Sequence, residues 1–391
     1  MHIAFLTPEY PNAKLSPAAG IGTSIHNLAK ALVRQGVKVT ILVYGQKEQK
    51  VFTDNEIQIH SIKYKKFQFS TWFFHRKYIE NYCNSVIKQQ KIDLIEAADW
   101  TGITAFMKFK IPLLIRFHGS DTYFCHLEKR KQKWKNFFFE KNAISKADAF
   151  IAPTSFAGEL SKQLFNLKDK EIQIINYGLD LARFENKAPA LFDEGLILYV
   201  GTLIRKKGVF ELPAIFNKVR EQFPEAKLLL IGGDAADVYS QSHSTWELLR
   251  QEFKASDIEK VHYLGKIPYD EVQHYIKKAN VCVFPTFAET LGMVTIEAMA
   301  MQKAVVNSNF GWAQELITDD ESGYLVSPKD PITFAHRIVQ LLQNKKQCLV
   351  IGANARQRVE SQFDTKKIVQ QNISFYQQLI DKKKASDNPL P

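Results

Sequence analysis

Short runs of β-branched and apolar residues recur along the chain, each closed by glycine or a polar turn, and stretches of helical spacing fall between many of them. Residues 2–7, 37–43, 57–62, 92–96, 112–118, 149–152 and 172–175 read as strands of a first series. Residues 196–200, 227–231, 261–264, 279–285, 303–308 and 323–326 read as strands of a second. Helices are predicted over about 23–35, up to about 90, around 133–145, after the cap at Pro153-Thr154-Ser155, and over about 331–343 and 364–383. The pattern predicts an α/β protein of two β/α series. Residues 183–195 have little periodicity and contain Pro189, so they are assigned as a linker between a first domain, 1–182, and a second, 196–363; the tail 385–391 is expected to be disordered.

The stretch from Phe287 to Met301 concentrates the chemistry. A buried strand, 279–285, runs into a tight loop with Gly292 and then a helix. Glu289 and Thr290 sit on the loop, and Glu297, eight positions after Glu289, falls about one turn into the helix, facing back toward the strand ends. The amides of Leu291, Gly292, Met293 and Val294 open that helix, and unpaired amides at the positive end of a helix dipole seat a phosphate. A carboxylate one turn further in can accept hydrogen bonds from a sugar or ribose diol. Together these suggest a ligand with a diphosphate and several hydroxyls; two glutamates at this spacing also fit a solvated helix face.

Other strand ends carry candidates. Gly20-Ile21-Gly22 follows the first strand in a Rossmann-like unit, but the spacing is not G-x-G-x-x-G and Tyr44-Gly45 rather than an acidic residue follow the second strand, which argues against a dinucleotide. Gly20 and Gly22 either admit a phosphate or sugar to the backbone or form a plain turn. Glu96, Asp99, His118 and Asp121 lie at carboxyl ends of strands, where open α/β sheets collect ligands. In the second series Arg205, Lys206 and Lys207 precede Gly208 and suit a diphosphate, or form a solvated charge run. Gly232-Gly233-Asp234 closes the 227–231 strand, and the edge around Gly265-Lys266-Ile267 can offer backbone groups to a nucleobase.

Composition narrows the class. At 391 residues, 45% apolar and 24% charged, the chain suits a globular protein of two domains. Its apolar runs are far shorter than the roughly 20 residues that span a bilayer, and Met1–Tyr10 reads as a first strand rather than a signal peptide. Cys83, Cys125, Cys282 and Cys348 are scattered, so neither a metal nor a disulfide is expected and a reducing cytosol is the natural setting. The net charge of +11 is concentrated in residues 63–77 and 129–141, where lysines and arginines interleave with aromatic rings. That recipe suits an anionic membrane surface. It also describes core aromatics beside solvated lysines, or a nucleic-acid surface, though no nucleic-acid motif accompanies it.

Five features in order resemble the retaining glycosyltransferases of family four: Gly20-Ile21-Gly22, His118-Gly119-Ser120-Asp121, Val200-Gly201 with Lys206-Lys207-Gly208, Glu289 and Glu297 around Gly292, and the ending from Gly323 to Asp330. The resemblance covers nearly the whole chain. It implies the GT-B fold, two Rossmann-like domains facing across a cleft, with the C-terminal helix returning to the first. It implies a nucleotide-sugar donor held mainly by the second domain: Lys207 with Arg205 or Lys206 on the diphosphate, Glu297 on the ribose, backbone near Ile267 and Gly233 on the nucleoside side, and Glu289 with Thr290 and the amides from Leu291 to Val294 on the sugar and phosphates. Gly20 and Gly22 would lie by the phosphate. His118, Glu289 and Lys207 become the catalytic candidates, and Asp99 and Asp121 the acceptor candidates. Many relatives place arginine directly after the glycine at Gly201; here it is Thr202, so one phosphate contact is absent or supplied by Arg205. No D-x-D motif occurs, and fixed lysines are expected in place of a metal; no cofactor is expected beyond the co-substrate. Transfer with retention by same-face attack is expected, from a UDP-sugar or else GDP-mannose to a saccharide or lipid-linked acceptor of surface polysaccharide or lipopolysaccharide. The setting would be cytoplasmic, peripheral on the inner membrane face, with no nucleic-acid partner. A sugar-nucleotide 2-epimerase of the same architecture and a non-enzymatic basic binding protein remain the alternatives.

Overall fold

The computed structural model describes residues 1–387, which form two compact units: residues 1–178 together with the chain from Thr365 onward, and Leu179–Asp364.

The first unit runs β1 (His2–Thr7), α1 (Gly20–Arg34), β2 (Lys38–Gln46), β3 (Lys50–Asp54), β4 (Ile57–Lys63), α2 (Thr71–Gln90), β5 (Leu94–Ala98), β6 (Leu113–Arg116), α3 (Asp121–Leu127), α4 (Trp134–Ser145), β7 (Ala149–Ala152), α5 (Ser155–Phe165) and β8 (Ile172–Ile174). The sheet order is β3-β4-β2-β1-β5-β6-β7-β8, parallel except where edge strand β3 meets β4. Successive residues of β1 serve opposite faces, as the pleat requires. Ala4 and Leu6 pack with Ile79 and Cys83 of α2 and Ala143 of α4, while Ile3 and Phe5 pack with Ile25, Ala29 and Leu32 of α1. Both faces are thereby covered, which is why these strands read as continuous apolar runs.

The second unit runs β9 (Leu196–Val200), α6 (Leu212–Gln222), β10 (Lys227–Ile231), α7 (Thr245–Gln251), β11 (Val261–Tyr263), α8 (Tyr269–Lys278), β12 (Val281–Phe284), α9 (Met293–Ala300), β13 (Ala304–Ser308), α10 (Gly311–Leu316), β14 (Tyr324–Val326), α11 (Pro331–Gln343) and α12 (Lys345–Gln362). Its six strands are all parallel, in the order β11-β10-β9-β12-β13-β14. Residues 183–195, expected as a linker, belong to this unit: Phe184 is buried and Asn186 donates to the Met301 carbonyl at 3.0 Å.

The last helix, α13 (Thr365–Asp387), returns to the first unit. Its Ile368, Val369, Tyr376 and Ile380 join the α1 side of the core. A buried polar network fixes it there: Arg116 donates to Glu96 at 2.6 and 3.0 Å and to Asn372 Oδ1 at 2.6 Å, and the Tyr376 hydroxyl donates to Glu96 at 2.6 Å. Glu96, a candidate ligand group from its place at a strand end, is thus consumed in holding α13. Of the tail expected to be disordered over 385–391, residues 385–387 continue α13 and 388–391 lie outside the described residues.

Candidate active site

In the second sheet β9 pairs with both β10 and β12, so the strand order reverses there, and the carboxyl ends of β9 and β12 mark the switch point at which open α/β sheets bind ligands. The loops leaving these two strands meet at Gly208. Its φ is +69°, and a Cβ there would lie 1.8 Å from the Pro285 carbonyl oxygen, so only glycine lets the loops touch. The Phe287 amide donates to the Lys206 carbonyl at 2.8 Å across the same contact. As a result the Lys207 ammonium and the Glu289 carboxylate form an ion pair, each side chain about one-fifth exposed. Burial, then the neighbouring Lys206 charge, lowers Lys207 to about 7; the carboxylate against it acts in the opposite sense and favours the ammonium.

The loop continues through buried Thr290 and Leu291 to Gly292, the N-cap of α9, whose φ is +89°. A Cβ at Gly292 would sit 2.8 Å from the Trp312 ring, so the turn into α9 again requires glycine. Met293 and Val294 form the first turn of α9, and the amides of Thr295 and Ile296 bond back to the Gly292 carbonyl at 3.1 and 3.4 Å. One turn on, Glu297 is nearly fully buried, and its Oε1 accepts the Tyr269 hydroxyl at 2.5 Å. Burial pushes its carboxyl up to about 7, against the hydrogen bond from Tyr269.

The basic turn divides in two. Lys207 reaches Glu289, but the Arg205 guanidinium is held by Asp237 through two bonds of 2.7 Å, and Asp237 also accepts from the amide and hydroxyl of Ser240. The Arg205 hydrogen bonds hold the Asp237 carboxyl well below the usual carboxylate range. Arg205 thus fastens the loop after β10. The Gly233 carbonyl accepts from the Leu203 amide at 2.9 Å, and a Cβ on Gly233 would meet nothing within 4 Å. Ile267 lies half-buried between β11 and α8.

In the first sheet β1 lies between β2 and β5, a second reversal of order. Gly20 opens α1 with open space around it, whereas a Cβ on Gly22 would be 3.0 Å from the Glu9 carbonyl oxygen, and the Gly22 amide donates to Glu9 Oε1 at 2.8 Å. A carboxylate of the chain itself therefore caps this helix start. His118, just past β6, has Nδ1 2.8 Å from the Tyr177 hydroxyl and stacks on that ring at 5.4 Å. Burial, then the Arg116 charge, pushes it down to about 3, so it is neutral at neutral pH. Asp99, 1% exposed, accepts the His118 amide at 2.9 Å; its other oxygen has no hydrogen-bond partner among the described residues, and burial raises its carboxyl to about 7. Asp121 heads α3, with its amide bonded to buried Glu140 at 2.9 Å and its carboxylate accepting from Arg130 and Asn136 at 2.9 Å each. His118, Asp99 and Asp121 lie in one unit, and Lys207, Glu289 and Glu297 in the other.

The family model "Glycosyl transferases group 1" matches residues 183–358, and the model "Glycosyltransferase Family 4" matches residues 18–183. The chain belongs to the group 1 glycosyltransferases. An uncharacterized glycosyltransferase of Methanocaldococcus jannaschii is 25% identical over 369 residues, covering 93% of this chain and 95% of that one. Sucrose-phosphate synthase from Thermosynechococcus elongatus superposes with a TM-score of 0.79 at 23% identity, covering 97% and 99% of the two chains. Anabaena HepE, solved in complex with UDP, superposes with a TM-score of 0.72 at 18% identity over 97% and 100%. The fold is GT-B.

For a glycosyltransferase, the second unit offers a cation, a carboxylate and a helix start at the carboxyl ends of β9 and β12. Sequence reasoning missed Tyr269, Tyr177, Asp237, Glu140 and Glu9, whose partners in the site lie between 13 and 59 residues away. Only Glu9, thirteen positions before the glycine it caps, stood close enough to Gly22 to be suspected from a helix start lacking a Ser, Thr, Asp or Asn cap.

Proposed function

We propose that this glycosyltransferase moves a sugar, with retention, from a nucleotide-diphosphate donor to a saccharide or lipid-linked acceptor of a surface polysaccharide or lipopolysaccharide. The observation that carries the reading is the Lys207–Glu289 ion pair at the switch point, beside the Gly292 turn that starts α9. Breaking the sugar–phosphate bond builds negative charge on the departing diphosphate and positive charge on the anomeric carbon. In this reading Lys207 and the first amides of α9 meet the former. As the diphosphate takes over Lys207, Glu289 is released to bind hydroxyls of the transferred sugar. Glu297, with Tyr269 on one oxygen, keeps the other for a ribose hydroxyl, and backbone near Ile267 meets the base. The charge on Lys207 makes a divalent ion unnecessary in this scheme, and the leaving phosphate accepts the acceptor's proton during same-face attack.

A UDP-sugar is favoured over GDP-mannose; the likeness to HepE, solved with UDP, supports that choice. In the first unit, neutral His118 is proposed as a sugar contact and Asp121 as an acceptor contact. Asp99 is proposed to position the His118 backbone, because its carboxylate is turned to that amide and shut off from solvent. The basic and aromatic surface of the first unit supports a lipid-linked acceptor and a peripheral place on the inner membrane face. A thermal-shift panel of UDP-, GDP- and ADP-sugars tests the donor, since a ligand that binds only the folded state raises stability with the logarithm of its saturation. The expected result is a shift with UDP-sugars exceeding that with GDP-mannose; no shift with any of them would remove the reading.

A further inference from the structure

Residues 63–77 and 129–146 are far apart in sequence, yet in the first unit their rings join into one surface. Phe67 meets Phe74 at 5.8 Å, Phe74 meets Phe73 at 5.5 Å, and Phe73 meets Phe106 at 5.8 Å. Trp72 contacts Phe106 at 5.8 Å and Phe139 at 5.2 Å, and Phe106 continues to Phe138 at 6.0 Å. Trp72 and Phe139 join the two segments directly, and Phe106, on the loop between β5 and β6, adds a second link from outside both. Phe106 and Phe139 root this ring cluster against the core of the unit, while its outer rings face solvent. Phe69 is 74% exposed and Trp134 71%, and Trp72, Phe74 and Phe138 are each nearly half exposed.

The charge around them has one sign. Lys65, Lys66, Lys108, Lys129, Lys131, Lys133, Lys135, Lys141 and Lys146 are exposed. Across residues 63–77, 100–110 and 129–146 the sole carboxylate is Glu140, which is fully buried and bonded to the start of α3. Just outside those stretches, Glu80 is buried against Lys77 and Glu128 pairs with Arg130. A single-stranded nucleic acid would also use such cations and could stack its bases on exposed rings, but no nucleic-acid motif accompanies them in the sequence. Lysines around protruding tryptophan and phenylalanine fit an anionic bilayer, where rings enter the headgroup boundary and the ammonium groups meet lipid phosphate.

We infer that the surface formed by the loop before α2, the N-terminal half of α2, Phe106 and α4 docks on an anionic phospholipid bilayer. Asn136 of α4 and Arg130 of the basic loop both hold the Asp121 carboxylate, so the docked face is mechanically continuous with the proposed acceptor residue. A lipid-linked acceptor would thus meet Asp121 close to the membrane plane. The docking itself does not rest on the donor reading, because it is measured without turnover.

The test is co-sedimentation of the full chain with phosphatidylcholine vesicles, with and without phosphatidylglycerol, at low and high salt. The wild type is expected to partition onto the anionic vesicles at least about tenfold better than onto neutral ones, with a blue-shifted tryptophan emission and with loss of binding as salt rises. The double variant Phe69→Ser/Trp134→Ser alters only exposed rings, and the triple variant Lys131→Glu/Lys133→Glu/Lys135→Glu reverses exposed charge. Each is expected to lose about tenfold in partitioning while keeping the wild-type thermal shift with the donor. Equal binding to neutral vesicles, no binding to either, or unchanged partitioning of the ring variant would overturn the inference. So would displacement from vesicles by an RNA oligonucleotide that binds equally well to the ring variant, which would assign the charge to nucleic acid. A lost donor shift with vesicle binding intact would count against the donor reading alone.

Discussion

The Tyr269 hydroxyl donates to Oε1 of Glu297 at 2.5 Å, at the point where α8 begins and α9 has made its first turn. It is the hydrogen bond that offsets part of the burial of this carboxylate, whose carboxyl is raised to about 7. Replacing Tyr269 with Phe removes a donor to the charged form, so the Glu297 carboxyl rises further. The expected outcome is that the acidic limb of kcat/KM, near pH 7 in the parent, moves to higher pH, and that donor KM rises while kcat changes less. A pH–rate profile of both proteins checks this; an unmoved limb would separate Glu297 from donor binding.

Glu297 also sets a pH dependence of stability. Its carboxyl ionises near the ordinary 4.5 when unfolded and near 7 when folded. The stability associated with the neutral form is complete below about 4.5 and is lost as pH rises through about 7. Glu297→Gln removes that loss. The variant is expected to gain up to roughly 3 kcal/mol over the parent at pH 8 and little at pH 4 to 5, read from urea unfolding at each pH.

Gly208→Ala places a methyl against the Pro285 carbonyl at a positive φ, and separates the loops that carry Lys207 and Glu289. It should destabilise by at least about 2 kcal/mol and abolish transfer. Gly233→Ala, which faces open space, should stay within about 0.5 kcal/mol of the parent in the same denaturation series.

The network joining Glu96, Arg116 and Tyr376 gives a further outcome. Glu96→Leu leaves the Arg116 charge buried without its carboxylate and should cost about 3–5 kcal/mol, freeing α13 to exchange its amide hydrogens. The double variant Glu96→Leu/Arg116→Met should regain much of that loss, since no charge remains to be compensated. Hydrogen exchange over residues 365–387 with equilibrium unfolding distinguishes the two.

What was legible in the sequence follows from what is local. Strands buried on both faces wrote themselves as apolar runs, so residues 2–7, 149–152, 196–200 and 227–231 carry the same bounds in sequence and structure. The helix over 331–343 was equally clear, with Asp330 capping the Thr333 amide and Pro331 at its first position. Edge strand β3 was not read, because its residues lie largely toward solvent and have no core face to mark them. Helix α3 has only seven residues, too few for a period, and α12 has a weak apolar stripe. In the site, Lys207, Glu289, Gly292 and Glu297 stood out because glycine and charge sit beside strand ends. The fate of Arg205 did not: its partner Asp237 is 32 residues on, in a loop with no periodic signal. Likewise Glu96 looked like a ligand group until α13, 280 residues later at Tyr376, returned to claim it.

The central claim is that the second unit grips a nucleotide-sugar by its diphosphate at Lys207. Calorimetric titration of the wild type and Lys207→Ala with UDP and with uridine tests it most directly. The expected result is that UDP binding weakens by at least about tenfold in the variant while uridine binding is unchanged, because the lysine meets phosphate and not base or ribose. UDP binding of undiminished strength in Lys207→Ala would contradict the account.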